Sequence, residues 1–249
     1  MKKGFYAKNL ELLNLKWERY LETIKLTNWH KYDTIHLCNF TLSHSYLQNN
    51  FRRDDKMNVL VCCSSQSPDN AIFEFAEEAA KEIAEFIVRG NHNLVFGGGK
   101  TGLMGVISQK VQQNRPNSKI FISTLRKWQD DLEEDTFDDC FVFDKLSERK
   151  DKLFELADVI VVLPGGLGTI DELFSAIEAK RTGELDKLKL IIICNFRGYF
   201  KEAFRMIDTT VCQGFSGRPS RTLYEEIHRV DELGYYLNCA AQYTSRRNR

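Results

Sequence analysis

The run Asp158-Val-Ile-Val-Val-Leu-Pro-Gly-Gly-Leu-Gly-Thr-Ile-Asp-Glu172 holds the densest chemistry in the chain. An apolar strand ends in Pro164, and a glycine-rich loop opens straight into a helix. Gly165, Gly166 and Gly168 permit tight backbone turns and close approach of a ligand, while the loop amides and first helical turn can donate to a phosphate that the helix dipole also favours. A plain glycine-rich turn between strand and helix would use the same residues. Thr169 and Glu172 fit a capping box, with Thr169 as N-cap and Glu172 reaching back. A carboxylate held at a helix N-terminus is biased toward its ionised form. Placed against a sugar, it would stabilise the oxocarbenium-like state of glycosidic cleavage.

A second glycine cluster, Gly97-Gly-Gly-Lys-Thr-Gly-Leu-Met-Gly105, imitates two better-known motifs. A phosphate-binding Walker loop ending in Lys100-Thr101 requires glycine at position 94, where the chain has Leu94. Gly97-x-Gly99-x-x-Gly102 fits the dinucleotide fingerprint, but it follows a second strand and no acidic residue ends the next strand near 122–125. The loop reads as a second wall of the crevice, with Gly98 bringing backbone close to the ligand and Lys100 solvated.

In Ser147-Glu-Arg-Lys-Asp-Lys-Leu-Phe154, Ser147 is the expected helix cap, which sets Arg149 and Lys150 in the first turn. Cations there oppose the helix dipole, a local cost that hints at service to a ligand. Arginine suits bidentate contact with phosphate or ribose oxygens, so Arg149 is the stronger candidate. A solvated charged face continuing through Asp151 and Lys152 is the competing reading.

These residues need a scaffold, and the pattern from Met57 onward supplies one. Apolar runs at 58–62, 93–96, 119–123, 141–143, 158–163 and 189–194 alternate with helix-period segments at 70–89, about 102–113, about 147–157 and about 170–182. That alternation predicts an α/β fold, a Rossmann-like doubly wound parallel sheet with helices on both faces, over 57–241. Leu10, Leu13, Trp17, Leu21 and Ile24 recur at helical intervals, so residues 1–56 read as a helical N-terminal extension. Residues 242–249, polar and basic, read as a disordered tail.

The composition narrows the function. In 249 residues, 35 basic and 35 acidic side chains cancel, leaving no global field to draw nucleic acid or an anionic membrane. A small-molecule substrate is the better default. No run approaches the roughly 20 apolar residues of a membrane span and no signal-peptide core follows Met1, which predicts a cytoplasmic protein. The 7 cysteines are scattered without C-x-x-C spacing, and the 5 histidines show no zinc pattern, so neither a disulfide framework nor a metal is expected.

Together, Cys63-Ser64-Ser65, Gly97-Gly-Gly-x-x-Gly-Leu-Met-Gly105, Glu148-Arg149-Lys150 and Pro164-Gly-Gly-x-Gly-Thr-x-x-Glu172 resemble the Lonely Guy (LOG) family of cytokinin riboside 5′-monophosphate phosphoribohydrolases. Its members often carry the label possible lysine decarboxylase. The resemblance covers roughly 57–235. It implies Arg149 and Glu172 as the catalytic pair and Gly165 to Thr169 as the phosphate segment. It also implies Lys150 and Asp171 lining the same nucleotide site, no metal or cofactor, and a homodimer, with a larger assembly through the extension open. The reaction implied is nucleoside 5′-monophosphate plus water giving free base and ribose 5-phosphate. Decarboxylation is not supported, because nothing identifies a cofactor-bearing lysine.

The chain departs from the family in its extension, in Cys62-Cys63, in Ala179 to Lys187 and in the residues after strand 119–123. The last two bear on the base pocket, so the base is left open between adenine-type and pyrimidine substrates. Two other functions compete with hydrolysis. One is a non-catalytic nucleotide sensor or partner-binding module on the same fold, with the aromatic-rich extension as its contact surface. The other is a dinucleotide-dependent oxidoreductase, disfavoured by the glycine loop.

Overall fold

The run NVLVC forms the central strand β1 (Asn58–Cys62), whose last four residues are buried. The computed structural model describes residues 56–247, apart from 116, 133–135, 186 and 217–222. The expected N-terminal helical extension thus lies outside the described residues, Lys56 excepted. After β1 come α1 (Ala71–Arg89), β2 (Asn93–Phe96), α2 (Gly102–Asn114), β3 (Ile120–Leu125) and a 3-10 turn at Arg126–Asp131. Then follow β4 (Asp139–Phe143), α3 (Leu146–Leu156), β5 (Val159–Val162), α4 (Leu167–Thr182) and β6 (Leu190–Cys194). A second 3-10 turn (Phe196–Gly198), α5 (Lys201–Cys212), β7 (Glu225–Ile227) and α6 (Val230–Arg247) complete the order.

The seven strands form one sheet in the order β4-β3-β2-β1-β5-β6-β7, and every neighbouring pair is parallel. Successive side chains of a strand point to opposite faces, and the core divides accordingly. Val59, Val61, Val159 and Val161 pack with α1, α2 and α6 through Ile83, Ile107 and Leu237. Leu60, Cys62, Ile160 and Val162 pack with α3, α4 and α5 through Leu153, Leu173 and Phe204. Helices on both faces explain why the strands read as unbroken apolar runs.

The strand order reverses beside β1, whose neighbours are β2 and β5. In such sheets the loops leaving the two strands at the reversal diverge to opposite faces and open a crevice at their carboxyl ends. Both glycine loops and the Cys63-Ser64-Ser65 segment leave the sheet at this end.

Several local expectations are corrected. Helix α4 begins at Leu167 with Gly166 as N-cap and no side-chain cap bond, so Thr169 and Glu172 do not form a capping box. Helix α3 begins at Leu146 with Lys145 as N-cap, which puts Ser147 inside the helix. The two cap positions are set by where the preceding strand releases the chain, a tertiary constraint that outweighs the local preference of Ser and Thr. The backbone is helical through Arg247, across most of the expected disordered tail. No glycine or proline interrupts 235–247, and Ala240, Ala241 and Gln242 sustain a helix well. Segments α5, β7 and α6 were not anticipated.

Candidate functional site

The carboxyl ends of β1, β2, β3 and β5 enclose a cavity of about 580 Å³, within the range of small-molecule sites. Ser64 and Gly98 line it, as do Arg149 from α3 and Gly166, Gly168, Thr169 and Glu172 from α4. Met104 of the second glycine cluster lines it too, with Thr124, Trp128, Leu132 and Leu146, four residues the sequence reading does not single out. The signal for Trp128 was an aromatic residue directly beyond a strand end, at the level where the glycine loops leave the sheet.

Arg149 and Glu172 meet in the cavity lining. Arg149 Nη1 donates to Glu172 Oε1 at 3.2 Å, with side chains only 10% and 8% exposed. Arg149 Nε donates to the Ser123 carbonyl at 3.0 Å, and Ser123 Oγ donates to the Arg149 carbonyl at 2.9 Å. This reciprocal pair ties α3 to β3 and fixes the guanidinium. Gly97 makes room for it, since a Cβ there would collide with Nη2. The buried thiol of Cys62 also neighbours the Glu172 carboxyl.

Burial pushes the Glu172 carboxyl above its ordinary value, against the opposing pull of Arg149 and of the Cys62 thiol. Glu172 is the sixth residue of α4, in its second turn, beyond the dipole bias expected of a first-turn carboxylate. Burial raises the Cys62 thiol as well, and the neighbouring Glu172 charge adds to it. The pair therefore joins a positioned cation to a carboxyl able to exchange a proton nearer neutrality.

The amino end of α4 supplies the second half of the site. A Cβ on Gly166 or Gly168 would meet no protein atom within 4 Å. The protein's own packing does not require these glycines, and they leave the first turn of the helix open to the cavity. No side chain caps that turn, so its N–H groups face the space an anion would fill. Gly165 lies behind, where a Cβ would strike the Thr169 side chain. Its carbonyl accepts from the Tyr199 hydroxyl at 2.6 Å.

The opposite wall is equally constrained. Gly98 adopts φ +89°, and Gly102 takes φ +60°, where a Cβ would lie 2.5 Å from the Ser65 carbonyl carbon. Thr101 Oγ1 donates to that carbonyl's oxygen at 2.6 Å, and Met104 N donates to the Ser64 carbonyl at 3.3 Å. The β1 and β2 loops thus form one unit.

Lys150 and Asp171 do not reach the cavity. Lys150 Nζ contacts Asp171 Oδ2 at 2.8 Å and Ser175 Oγ at 2.8 Å, on the outer side of α3 and α4. One residue along a helix turns the side chain by about 100°, so neighbours of Arg149 and Glu172 point elsewhere. The segment Ala179 to Lys187 likewise contributes to a separate hollow with Lys150 and Phe174, and not to the cavity as expected. Among the described residues no group of three or more His, Cys, Asp or Glu side chains is placed to hold a metal ion, and no helix is long and apolar enough to cross a membrane.

Comparisons with known proteins bear on the family and the fold. Residues 91–237 match the family model described as possible lysine decarboxylase. A probable cytokinin riboside 5′-monophosphate phosphoribohydrolase of Oryza sativa subsp. japonica is 32% identical over 174 residues, 70% of this chain and 66% of that protein. The chain therefore spans just under two thirds of that relative's length. A cytokinin riboside 5′-monophosphate phosphoribohydrolase of Arabidopsis thaliana is 30% identical over 176 residues, 70% of this chain and 79% of the relative.

Among solved structures, the molybdenum cofactor binding protein of Rippkaea orientalis superposes with a TM-score of 0.54 at 16% identity, covering 74% of this chain and 97% of the other. The molybdenum cofactor carrier protein of Chlamydomonas reinhardtii gives 0.53 at 17%, covering 76% and 99%. At such identities the likeness speaks to the fold alone. The sequence matches go further, and by them the chain belongs to the possible lysine decarboxylase family, the Lonely Guy family of phosphoribohydrolase-type proteins.

Proposed function

We propose that the protein is a phosphoribohydrolase that cleaves the N-glycosidic bond of a nucleoside 5′-monophosphate, of the cytokinin riboside 5′-monophosphate or AMP type. The observation that carries the reading is the enclosed Arg149–Glu172 pair in the same cavity as the uncapped, glycine-lined amino end of α4. The names of the relatives point to the same chemistry.

The phosphate sits on the first turn of α4, where Gly166 and Gly168 leave open space and the backbone N–H groups and helix dipole favour an anion. The ribose then lies against Arg149 and Glu172. As the bond from C1′ to the base nitrogen breaks, its electron pair leaves with the base and positive charge develops at C1′ and the ring oxygen. The Glu172 carboxylate stabilises that charge and takes a proton from the incoming water, which forms the new C1′–O bond. The proton lost from water balances the one gained by the departing base. Arg149 holds the carboxylate and the sugar in register. Water is the only co-reactant.

Incubating the protein with AMP, GMP, CMP, UMP, IMP and N6-isopentenyl-AMP tests the reading. Free base and ribose 5-phosphate should appear in equal amounts from at least one of them. A protein that binds a nucleotide tightly and releases no base would instead be a nucleotide sensor on this fold.

A further inference from the structure

Trp128 is an exposed aromatic side chain, the one aromatic residue lining the cavity among the described residues. It stands on the 3-10 turn that follows β3 and is 41% exposed. A contiguous group of exposed apolar side chains at a cavity marks a surface that a ligand can cover. Leu132, Met104 and Leu146 line the same cavity. The ring has defined neighbours: Lys127 Nζ lies 4.7 Å and Arg149 Cζ 5.9 Å from its centroid, contacts that favour one orientation.

Its place relative to the anion site fits a mononucleotide. The uncapped turn of α4 follows β5, and Trp128 follows β3, with β1 and β2 between them in the sheet. Three strand spacings of about 4.8 Å separate the two strand ends by roughly 14 Å, a gap that the loops and the Trp128 side chain, reaching inward from both ends, shorten toward the length of a nucleoside monophosphate. Arg149 links the two ends, hydrogen-bonded to Glu172 with its guanidinium carbon 5.9 Å from the Trp128 ring centroid.

We propose that Trp128 is the platform on which the nucleotide's base stacks, making this side chain a specificity-determining residue that ranks purine above pyrimidine substrates. The proposal rests on the phosphoribohydrolase reading for its ligand. Stacking on an aromatic side chain grows with the π-face of the base and needs no hydrogen-bond code, so the larger purine ring system gains more from it.

The test compares wild-type protein with Trp128→Ala and Trp128→Phe, measuring kcat/KM for AMP and CMP and the inhibition constant of ribose 5-phosphate, which lacks a base. Trp128→Ala should lower kcat/KM for AMP by about tenfold or more and that for CMP by less, with Trp128→Phe retaining most of the activity. Inhibition by ribose 5-phosphate should be unchanged in both variants. Unchanged kcat/KM for AMP, or a matching loss of ribose 5-phosphate inhibition, would overturn the platform while leaving the hydrolase intact. If no nucleotide is hydrolysed, calorimetric titration with AMP separates the two ideas. Binding weakened by Trp128→Ala keeps the platform and removes the hydrolase, whereas no binding in the wild type removes both.

Discussion

Arg149 Nη1 and Glu172 Oε1 meet at 3.2 Å inside the fold, one side chain from α3 and the other from α4, with little solvent on either. A buried ion pair of this kind is a costly way to join two helices, and apolar residues would do it as well. Its presence beside the uncapped amino end of α4 is the strongest physical argument for chemistry here. Arg149→Ala would strand the Glu172 carboxyl in the interior and should destabilise the protein by about 3 kcal/mol or more. Glu172→Gln keeps the shape and a hydrogen-bond acceptor, so it should fold with a smaller loss while lowering kcat by roughly 100-fold or more. Denaturation curves beside steady-state rates separate the two effects.

The elevated Glu172 value fixes the sign of a pH dependence. If the ionised carboxylate stabilises the developing cation, kcat falls as the pH drops through that raised value, above the ordinary 4.5 of a glutamic acid. Stability moves the other way. A carboxyl whose folded-state value is raised contributes fully below 4.5, and the contribution is lost as pH rises through the raised value. Profiles of kcat and of Tm against pH should therefore slope oppositely in the weakly acidic range, and Glu172→Gln should flatten this component of the Tm profile.

Gly168 and Gly105 separate ligand space from packing space. A Cβ on Gly168 meets nothing within 4 Å, whereas on Gly105 it would collide with the Lys100 carbonyl. Gly168→Ala should leave the fold intact, or raise stability by up to about 1 kcal/mol through helix propensity, yet weaken binding of ribose 5-phosphate. Gly105→Ala should disrupt the loop itself and lower Tm. Equal effects of both substitutions on Tm would refute the distinction.

Tyr199 braces the loop before α4. Its hydroxyl donates to the Gly165 carbonyl at 2.6 Å, and it follows Arg197 and Gly198, both at positive φ. Losing this single hydrogen bond in Tyr199→Phe should cost about 1 kcal/mol, visible as a roughly fivefold higher KM with kcat nearly unchanged. A fall in kcat alone would argue against a role in binding.

His92 provides an acid-stability marker away from the cavity. Burial, reinforced by Lys189 and opposed by Asp158, holds its imidazole down to about 4 from the ordinary 6.5. Its Nδ1 accepts from Met57 N at 3.3 Å, which requires the neutral ring. With a depressed value the contribution is present above 6.5 and is lost as pH falls toward 4, amounting to about 3 kcal/mol at most. His92→Gln should remove this part of the acid destabilisation in urea titrations at pH 4.5 and 7.

The sheet was legible because strands covered on both faces write themselves as continuous Val, Ile and Leu runs, as at 58–62 and 158–163. The β4 edge and β7 were harder. β4 begins with exposed Asp139, and β7 is three residues long with Glu225 and Glu226 in it. Arg149 and Glu172 could be picked out by residue type and spacing, but which face of a helix meets the cavity could not. Lys150 and Asp171 were therefore expected beside them and point away, since each lies one step around the helix. The caps failed for a related reason: Thr169 and Ser147 have the right chemistry, but the preceding strands release the chain at Gly166 and Lys145. Trp128 and Tyr199 reach the site from turns whose direction no periodicity encodes.

The most direct test of the central claim follows free base and ribose 5-phosphate from AMP and N6-isopentenyl-AMP, in wild-type protein and Glu172→Gln side by side. The account predicts equimolar products from wild-type protein and a loss of roughly 100-fold or more in Glu172→Gln, with nucleotide still bound by the variant. Undiminished release by Glu172→Gln, or binding without any release by the wild type, would contradict it.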